Sequence, residues 1–442
     1  MSTEVKDDKG MKVAKLICVS SEGIMGNNKY YNMQQISESE FCATWGRVEG
    51  AQDTKVYAMS KWDSTIKGKT KPSKKPKPYT DVTHLHAVVS STTKDGKKSD
   101  SLFHSERPDA ICRFVENLLN LARESVKRNY VISSNAVTKA QVDEAQEALN
   151  KISKFLDVEA KNDGTLKKSI DSKNINDQLL ELYKVIPRKM KKVQDHLIEI
   201  TTIKTEKELA EAKLLFSNEQ DALDVMAGQV NMSADEDEDI NEGEDHEHDI
   251  LHTAQLDAYE CSPAEIDMIK KKMGANAHQL KNAIRVVNKK TQEEYDKFIK
   301  NTKNKKTDLL WHGSRNENWW SIFQQGLKIR PSNAVLTGAM FGNATYFAAK
   351  AQKSIGYTSL RGSYWASGNN STAYLALYEI HQGKQLEILH WKSEHSRLDE
   401  TKVKGQGFDS VFAKGGADLK NDEFMVYNSN QSTIKYLIEI TN

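Results

Sequence analysis

The residues best suited to chemistry lie in the C-terminal third of the chain. A mostly apolar run, Asp308, Leu309, Leu310 and Trp311, passes into His312, Gly313, Ser314 and Arg315. Such a run predicts a strand that delivers a histidine to the lip of a pocket. Further on stand Tyr346, Ser354 and Tyr357, and then Glu423. A histidine can hold a sugar hydroxyl. The bare backbone of a glycine can pair with an amide. The face of a tyrosine stacks on a flat cation. A carboxylate can hold a hydroxyl and stabilise positive charge that develops on a sugar. Together such groups suit cleavage at an anomeric carbon through an oxocarbenium-like transition state. That chemistry depends mainly on firm orientation of the sugar. Taken singly, each residue has a plainer explanation: a surface histidine, packing tyrosines, a solvated glutamate.

The elements that must position these groups can be read around them. From about Ile250 onward, NAIRVVN, YLALYEIH and IKYLIEI read as strands between Gly- and Ser-bearing loops. No helix-sized pattern separates most of them. This predicts a mixed α/β domain over 250–442, built mainly on antiparallel strands. Residues 107–232 read as an all-α domain. Val142, Ala145, Leu149, Ile152 and Leu156 share one helix face, and Leu179, Leu182, Tyr183 and Ile186 repeat the pattern until Pro187. Thr205 and Glu208 have the form of a capping box before a further helix carrying Leu209, Ala212, Leu215, Phe216 and Leu223. Residues 12–106 read as a small β-rich domain, with VAKLICVS and FCATWGRV as strands. Residues 1–11 read as a disordered N-terminus. The whole is a multidomain α+β protein.

Composition narrows the class. At 442 residues the chain predicts two to three domains. No apolar run reaches the roughly 18 residues of a membrane span, and the opening residues have no apolar core of a secretory signal. Cys18, Cys42, Cys112 and Cys261 are scattered, which fits a reducing compartment. The net charge of +1 hides two opposed segments. Lys61 to Lys77 holds seven lysines and one acid, Asp63. Its prolines, Pro72, Pro76 and Pro78, predict a positively charged loop rather than a continuous helix. Asp235 to Asp249 holds ten acids and no Lys or Arg. It predicts a disordered acidic linker over 233–249. His246, His248 and His252 are read as part of that solvated stretch rather than as a metal site.

The segment LLWHGSRNEN, the stretch GLKIRPSNAVLTGAMFGNATYFAAKAQKSIGY and the later NDEFMVY together resemble the active-site segments of the poly(ADP-ribose) polymerases. Upstream, ATWGRVEG resembles the WGR module of the DNA-dependent members, and the helices ending near LYKVIPRKM resemble the helical regulatory domain. The resemblance covers nearly the whole chain in the same order. It departs at Lys328, Ala339 and Ala344.

The resemblance implies NAD+ as co-substrate, with no metal. It assigns His312, Tyr346 and Glu423 as the catalytic set. His312 would bind the nicotinamide ribose. Gly313 would pair with the carboxamide through its backbone and Ser354 through its hydroxyl. Tyr357 would stack on the nicotinamide and Tyr346 would wall the other side. Ser314 and Asn318 would lie toward the rest of NAD+. Trp45 and Arg47 would contact DNA ends or breaks. The implied activity is break-stimulated poly(ADP-ribosyl)ation of the protein itself and of other acceptor proteins, in the response to DNA damage. A DNA-end-binding scaffold and a mono-ADP-ribosyltransferase are the alternatives. The protein is expected to be intracellular, monomeric away from DNA and free of membranes. It would be nuclear in a eukaryote, and otherwise in the cytoplasm or nucleoid.

Overall fold

The computed structural model describes residues 5–7, 9–72, 78–85, 105–131, 137–161, 163–239, 249–329 and 340–442. The chain divides into two compact units. One comprises residues 1–101 and 125–230, the other 102–124 and 231–442.

In the first unit, β1 (Val13–Ser20), β2 (Asn27–Gln35), β3 (Glu40–Arg47), β4 (Gln52–Ala58) and β5 (Thr80–Asp81) form one antiparallel sheet, in the order β4-β3-β2-β1-β5. The lysine-rich stretch corrects the expected loop in part. Trp62–Thr70 is a helix, α1. Trp62 and Ile66, four residues apart, turn to the sheet, and Trp62 meets the Phe41 ring edge-on at 5.1 Å. The helix ends before Pro72, as proline geometry requires. Residues 73–77, with Pro76, lie outside the described residues.

The following block contains α2 (Asp109–Asn129), α3 (Lys139–Phe155), α4 (Ser172–Val185) and α5 (Glu206–Asp239). The predicted faces are buried, including Leu149, Ile152, Leu179 and Tyr183. The capping box at α5 forms. Glu208 accepts from the amides of Thr205 at 2.9 Å and Lys204 at 2.7 Å, and Thr205 Oγ1 accepts from the Glu208 amide. The block is not all helix, however. β6 (Thr165–Asp171) and β7 (Thr202–Thr205) make a two-stranded antiparallel sheet. The helical backbone of α5 also continues to Asp239, into the stretch read as a linker. Residues 240–248, with His246 and His248, lie outside the described residues.

The second unit takes in the first half of α2. Phe114 meets the Tyr374 ring edge-on at 5.5 Å, and Asn117 Nδ2 donates to the Tyr374 hydroxyl at 2.5 Å. Its helices are α6 (Ile250–Thr253), α7 (Pro263–Met273), α8 (Lys289–Asn301), α9 (Trp319–Gln325), α10 (Ala351–Ile355) and α11 (Glu400–Gly405). Its strands are β8 (Leu256–Glu260), β9 (Leu280–Asn288), β10 (Thr307–Gly313), β11 (Thr345–Phe347), β12 (Thr372–His381), β13 (Gln385–Ile388), β14 (Ser410–Ala413), β15 (Glu423–Val426) and β16 (Ser432–Thr441). One sheet runs β10-β12-β16-β9-β8, with every neighbouring pair antiparallel. The other runs β11-β15-β14-β13, antiparallel except for β13 with β14. The mainly antiparallel architecture predicted for this region is therefore present. β12 is buried on both faces, which explains its near-continuous apolar run. Leu375, Leu377, Ile438 and Ile440 pack with Trp311 in one core. Each buried aliphatic side chain there stabilises the unit by roughly 2 kcal/mol.

Candidate active site

Two sheets meet where β10 ends. The Trp311 amide donates to the Ala348 carbonyl at 2.8 Å, and the Ala348 amide donates back at 2.9 Å. This bridge sets the next residue, His312, beside β11. His312 Nδ1 lies 3.0 Å from the Tyr346 carbonyl oxygen. A carbonyl can only accept, so Nδ1 carries the proton. Burial holds the ring below the ordinary histidine pKa, against the opposing pull of that hydrogen bond. A neutral ring protonated at Nδ1 leaves Nε2 as a bare acceptor. Trp319 and Tyr378 approach the ring edge-on and Phe347 tilts against it, which fixes its plane. Such an imidazole can accept a hydrogen bond from a sugar hydroxyl.

Gly313 is required by close approach. A Cβ at this position would lie 2.0 Å from the Ser354 carbonyl oxygen. Ser354 is buried in α10. Tyr346 uses its hydroxyl on the neighbouring turn, donating to the Gly342 carbonyl at 2.8 Å and accepting from the Phe341 amide at 3.0 Å. Burial pushes its pKa upward, so the hydroxyl keeps its proton. Tyr346 is therefore a fixed wall. Tyr357 is 36% exposed and stacks on Trp365, with centroids 6.0 Å apart at 18°.

Glu423 opens β15 and is buried. Its carboxylate pairs with the ammonium of Lys353. Burial pulls the Lys353 pKa down to about 8, and the charge of Asp422 pulls the other way. Direct contact with Glu423 also favours the charged form. Lys353 is thus an ammonium at neutral pH, held against the carboxylate. The sequence reading did not single it out, although it directly precedes Ser354 in the stretch AQKSIGY.

Ser314 and Asn318 sit together on the turn before α9. Asn318 Nδ2 donates to Ser314 Oγ at 3.1 Å. Asn318 Oδ1 is buried without a hydrogen-bond partner. A bare Nε2, a side-chain-free glycine and an orphaned amide oxygen suit a ligand with sugar hydroxyls and a carboxamide. Among the described residues, no group of three or more His, Cys, Asp and Glu is placed to hold a metal ion, and no helix is long and apolar enough to cross a membrane.

The remaining two predicted residues lie in the first unit. Trp45 stacks on Tyr31, with centroids 5.4 Å apart at 20°. Both rings line an open cavity of about 390 Å³ with Tyr57, Ser64, Thr65, Gly68 and Lys69. The Lys69 ammonium lies 3.9 Å from the Tyr31 ring centre. Arg47 spends its guanidinium on backbone carbonyls. Nη1 donates to Gly26 at 2.9 Å, and Nη2 donates to Met25 and Lys191, each at 3.1 Å. It ties the sheet to the segment after α4. Arg47→Ala should lower stability by about 2 kcal/mol, since charged hydrogen bonds to carbonyls are lost. Thermal melting without DNA tests this. A melting temperature equal to the parent protein's would rule out that tie.

The family model for the poly(ADP-ribose) polymerase catalytic domain matches residues 263–442, which hold the whole His312–Glu423 arrangement. The poly [ADP-ribose] polymerase-like 100L of Invertebrate iridescent virus 6 is 36% identical over 155 residues, 34% of this chain and 81% of the viral protein. Poly [ADP-ribose] polymerase 2 of Homo sapiens is 31% identical over 157 residues, 30% of this chain but only 26% of the human protein. A further protein of the same virus, the uncharacterized 101L, is 28% identical over 227 residues, 51% of this chain. That span is longer than 263–442, so at least part of it lies outside the catalytic match. Because most of the viral 100L is covered at this identity, the chain belongs to the poly(ADP-ribose) polymerase family, with an NAD+ ADP-ribosyltransferase domain over residues 263–442.

Proposed function

We propose that the protein forms poly(ADP-ribose) on itself and on neighbouring proteins, and does so when its N-terminal region binds DNA ends. The observation that carries the transfer chemistry is the buried Glu423–Lys353 pair, held by the same short helix whose Ser354 abuts Gly313. His312 Nε2 accepts a hydrogen bond from a hydroxyl of the nicotinamide ribose. The Gly313 backbone and the Ser354 hydroxyl orient the carboxamide, and Tyr357 stacks on the ring. The bond from ribose C1′ to nicotinamide breaks, and nicotinamide leaves with the electron pair. Glu423 holds the 2′-hydroxyl, faces the developing positive charge and polarises the acceptor that bonds to C1′.

DNA binding is supported by the WGR sequence, the lysines of Lys61–Lys77 and the aromatic cavity beside Lys69. In this reading Trp45 meets an end base. Arg47 positions the surface and contacts phosphate only beyond its carbonyl bonds. The acidic stretch offers carboxylates as acceptors. The site of action is the nucleus in a eukaryotic host, as part of DNA repair.

Labelled NAD+ with and without a 5′-phosphorylated duplex tests the proposal. A DNA-dependent high-mass smear is expected. A single sharp band would mean mono-transfer. Equal labelling without DNA would refute the switch, and no labelling would leave a DNA-binding scaffold.

Lys353 adds a pH dependence. Below about pH 8 its ammonium holds Glu423; above, the charge is lost and the carboxylate is released. Turnover should therefore fall along an alkaline limb above about pH 8. Lys353→Arg should move that limb upward, because a guanidinium stays charged. A pH profile unchanged by Lys353→Arg would exclude Lys353 as the titrating group.

A further inference from the structure

The loop that follows Tyr357 presents two large aromatic side chains to solvent. Tyr364 is 79% exposed and Trp365 62%. Two such rings side by side mark this loop as a place to look for a role. This loop is nevertheless firmly built. The Arg361 amide donates to the Asn370 carbonyl at 2.8 Å, the Gly362 amide to the Gly368 carbonyl at 3.1 Å, and the Asn370 amide to the Ser359 carbonyl at 3.0 Å. Leu360 anchors its base in the core. Ser367 adopts a φ of 48°, a conformation that a non-glycine residue holds only when its surroundings impose it.

The construction places Trp365 in one location. Its amide donates to the Gly356 carbonyl at 2.9 Å, and the next amide, of Ala366, donates to the same oxygen at 3.1 Å. Its Cδ1 lies 3.2 Å from where a Cβ on Gly356 would be, so the indole covers the residue directly before Tyr357. The indole stacks on the Tyr357 ring at 18°. Tyr364 closes the row edge-on, 4.6 Å from Trp365 at 89°. Tyr357 itself sits on a short turn after α10, its amide donating to the Ser354 carbonyl at 3.1 Å, and its ring lies against the indole.

We infer that Trp365 is a positioning residue for NAD+. It holds one face of Tyr357 so that the other face is presented, flat and pre-oriented, to the nicotinamide ring. The inference rests on the reading of Tyr357 as the stacking residue. Trp365 touches no reacting atom. Its effect is to remove the freedom that Tyr357 would otherwise lose on binding.

Binding of benzamide, a nicotinamide analogue, to the whole 442-residue chain provides the test. Trp365→Ala should weaken benzamide by about five-fold and raise KM for NAD+ by a similar factor, with kcat changing much less. Trp365→Phe should restore most of the affinity. Because Trp365 acts through Tyr357, the double variant Trp365→Ala with Tyr357→Ala should bind benzamide no more weakly than Tyr357→Ala alone. Additive losses in the double variant would overturn the inference. So would a Trp365→Ala affinity equal to the parent's, or tighter than it, since tightening would place the indole on the ligand's own face. Weakening in Tyr357→Ala with none in Trp365→Ala would sink this inference alone. No weakening in Tyr357→Ala would remove the stacking reading and this inference with it.

Discussion

Glu423→Gln should reduce ADP-ribosyl transfer by about 10²–10³-fold, the scale of one preorganised electrostatic contact at a charged transition state. Glutamine has nearly the same shape and can still accept from a ribose hydroxyl. It lacks the negative charge that, in the proposed mechanism, faces the developing oxocarbenium ion. The position is structurally constrained: Glu423 is buried and opens β15 opposite Ala413 of β14. Benzamide affinity should stay within about two-fold, because in the proposed site the nicotinamide ring is held by Gly313, Ser354 and Tyr357 rather than by Glu423. The variant also leaves the Lys353 ammonium without its carboxylate, and an uncompensated, partly buried charge costs stability. Lys353→Met added to Glu423→Gln separates the two effects. The pair should regain melting temperature without regaining turnover. Single-turnover assays with labelled NAD+, beside melting curves, decide the matter. Parent-level polymer from Glu423→Gln would end the assignment of Glu423 as the catalytic carboxylate.

Gly313→Ala should lower kcat/KM for NAD+ by about 10²-fold and weaken benzamide by at least about ten-fold. The added Cβ would lie 2.0 Å from the Ser354 carbonyl oxygen, and neither atom belongs to a side chain that can swing aside. Either the end of β10 or the turn of α10 must move by about an ångström. A displacement of that size in an orienting group is enough to cost two orders of magnitude. His312 precedes the glycine and Lys353 precedes the serine, so both would be carried along. Gly405→Ala is the matched control. It lies on α11 with nothing within 4 Å of its would-be Cβ, and its activity should match the parent's. Gly313→Ala activity within a factor of about three of the parent's would show that the close approach is not needed for function.

Much of this was legible in the residues because the signals were local. The apolar runs of β1, β10, β12 and β16 and the capping pair Thr205–Glu208 each need only a short window of sequence. The predicted site residues also converge: His312 bonds to the Tyr346 backbone, Gly313 abuts Ser354, and Glu423 pairs with Ser354's neighbour. What was missed depends on distant partners or on a misleading local cue. Pro72, Pro76 and Pro78 obscured α1, yet all three follow its end and none interrupts it. β6 and β7 have lysines and few apolar residues, so their pairing has no periodic signature. Arg47 resembles a phosphate ligand in sequence, whereas its carbonyl partners Met25 and Lys191 are set by folding. Lys353 and Trp365 take their meaning from Glu423 and Tyr357, which no spacing rule connects to them.

The order β10-β12-β16-β9-β8 bears on how the protein is made. β16 is synthesised after the other four strands but lies between β12 and β9. Until Ser432–Thr441 has cleared the ribosome, β12 and β9 have no strand between them, and the core around Leu377 lacks Ile438 and Ile440. At translation rates of roughly 5–20 residues per second, the N-terminal unit has many seconds to fold first. β10, which carries His312 and Gly313 on the far side of β12, therefore belongs to a sheet that is completed only once β16 has been made, well after the N-terminal unit.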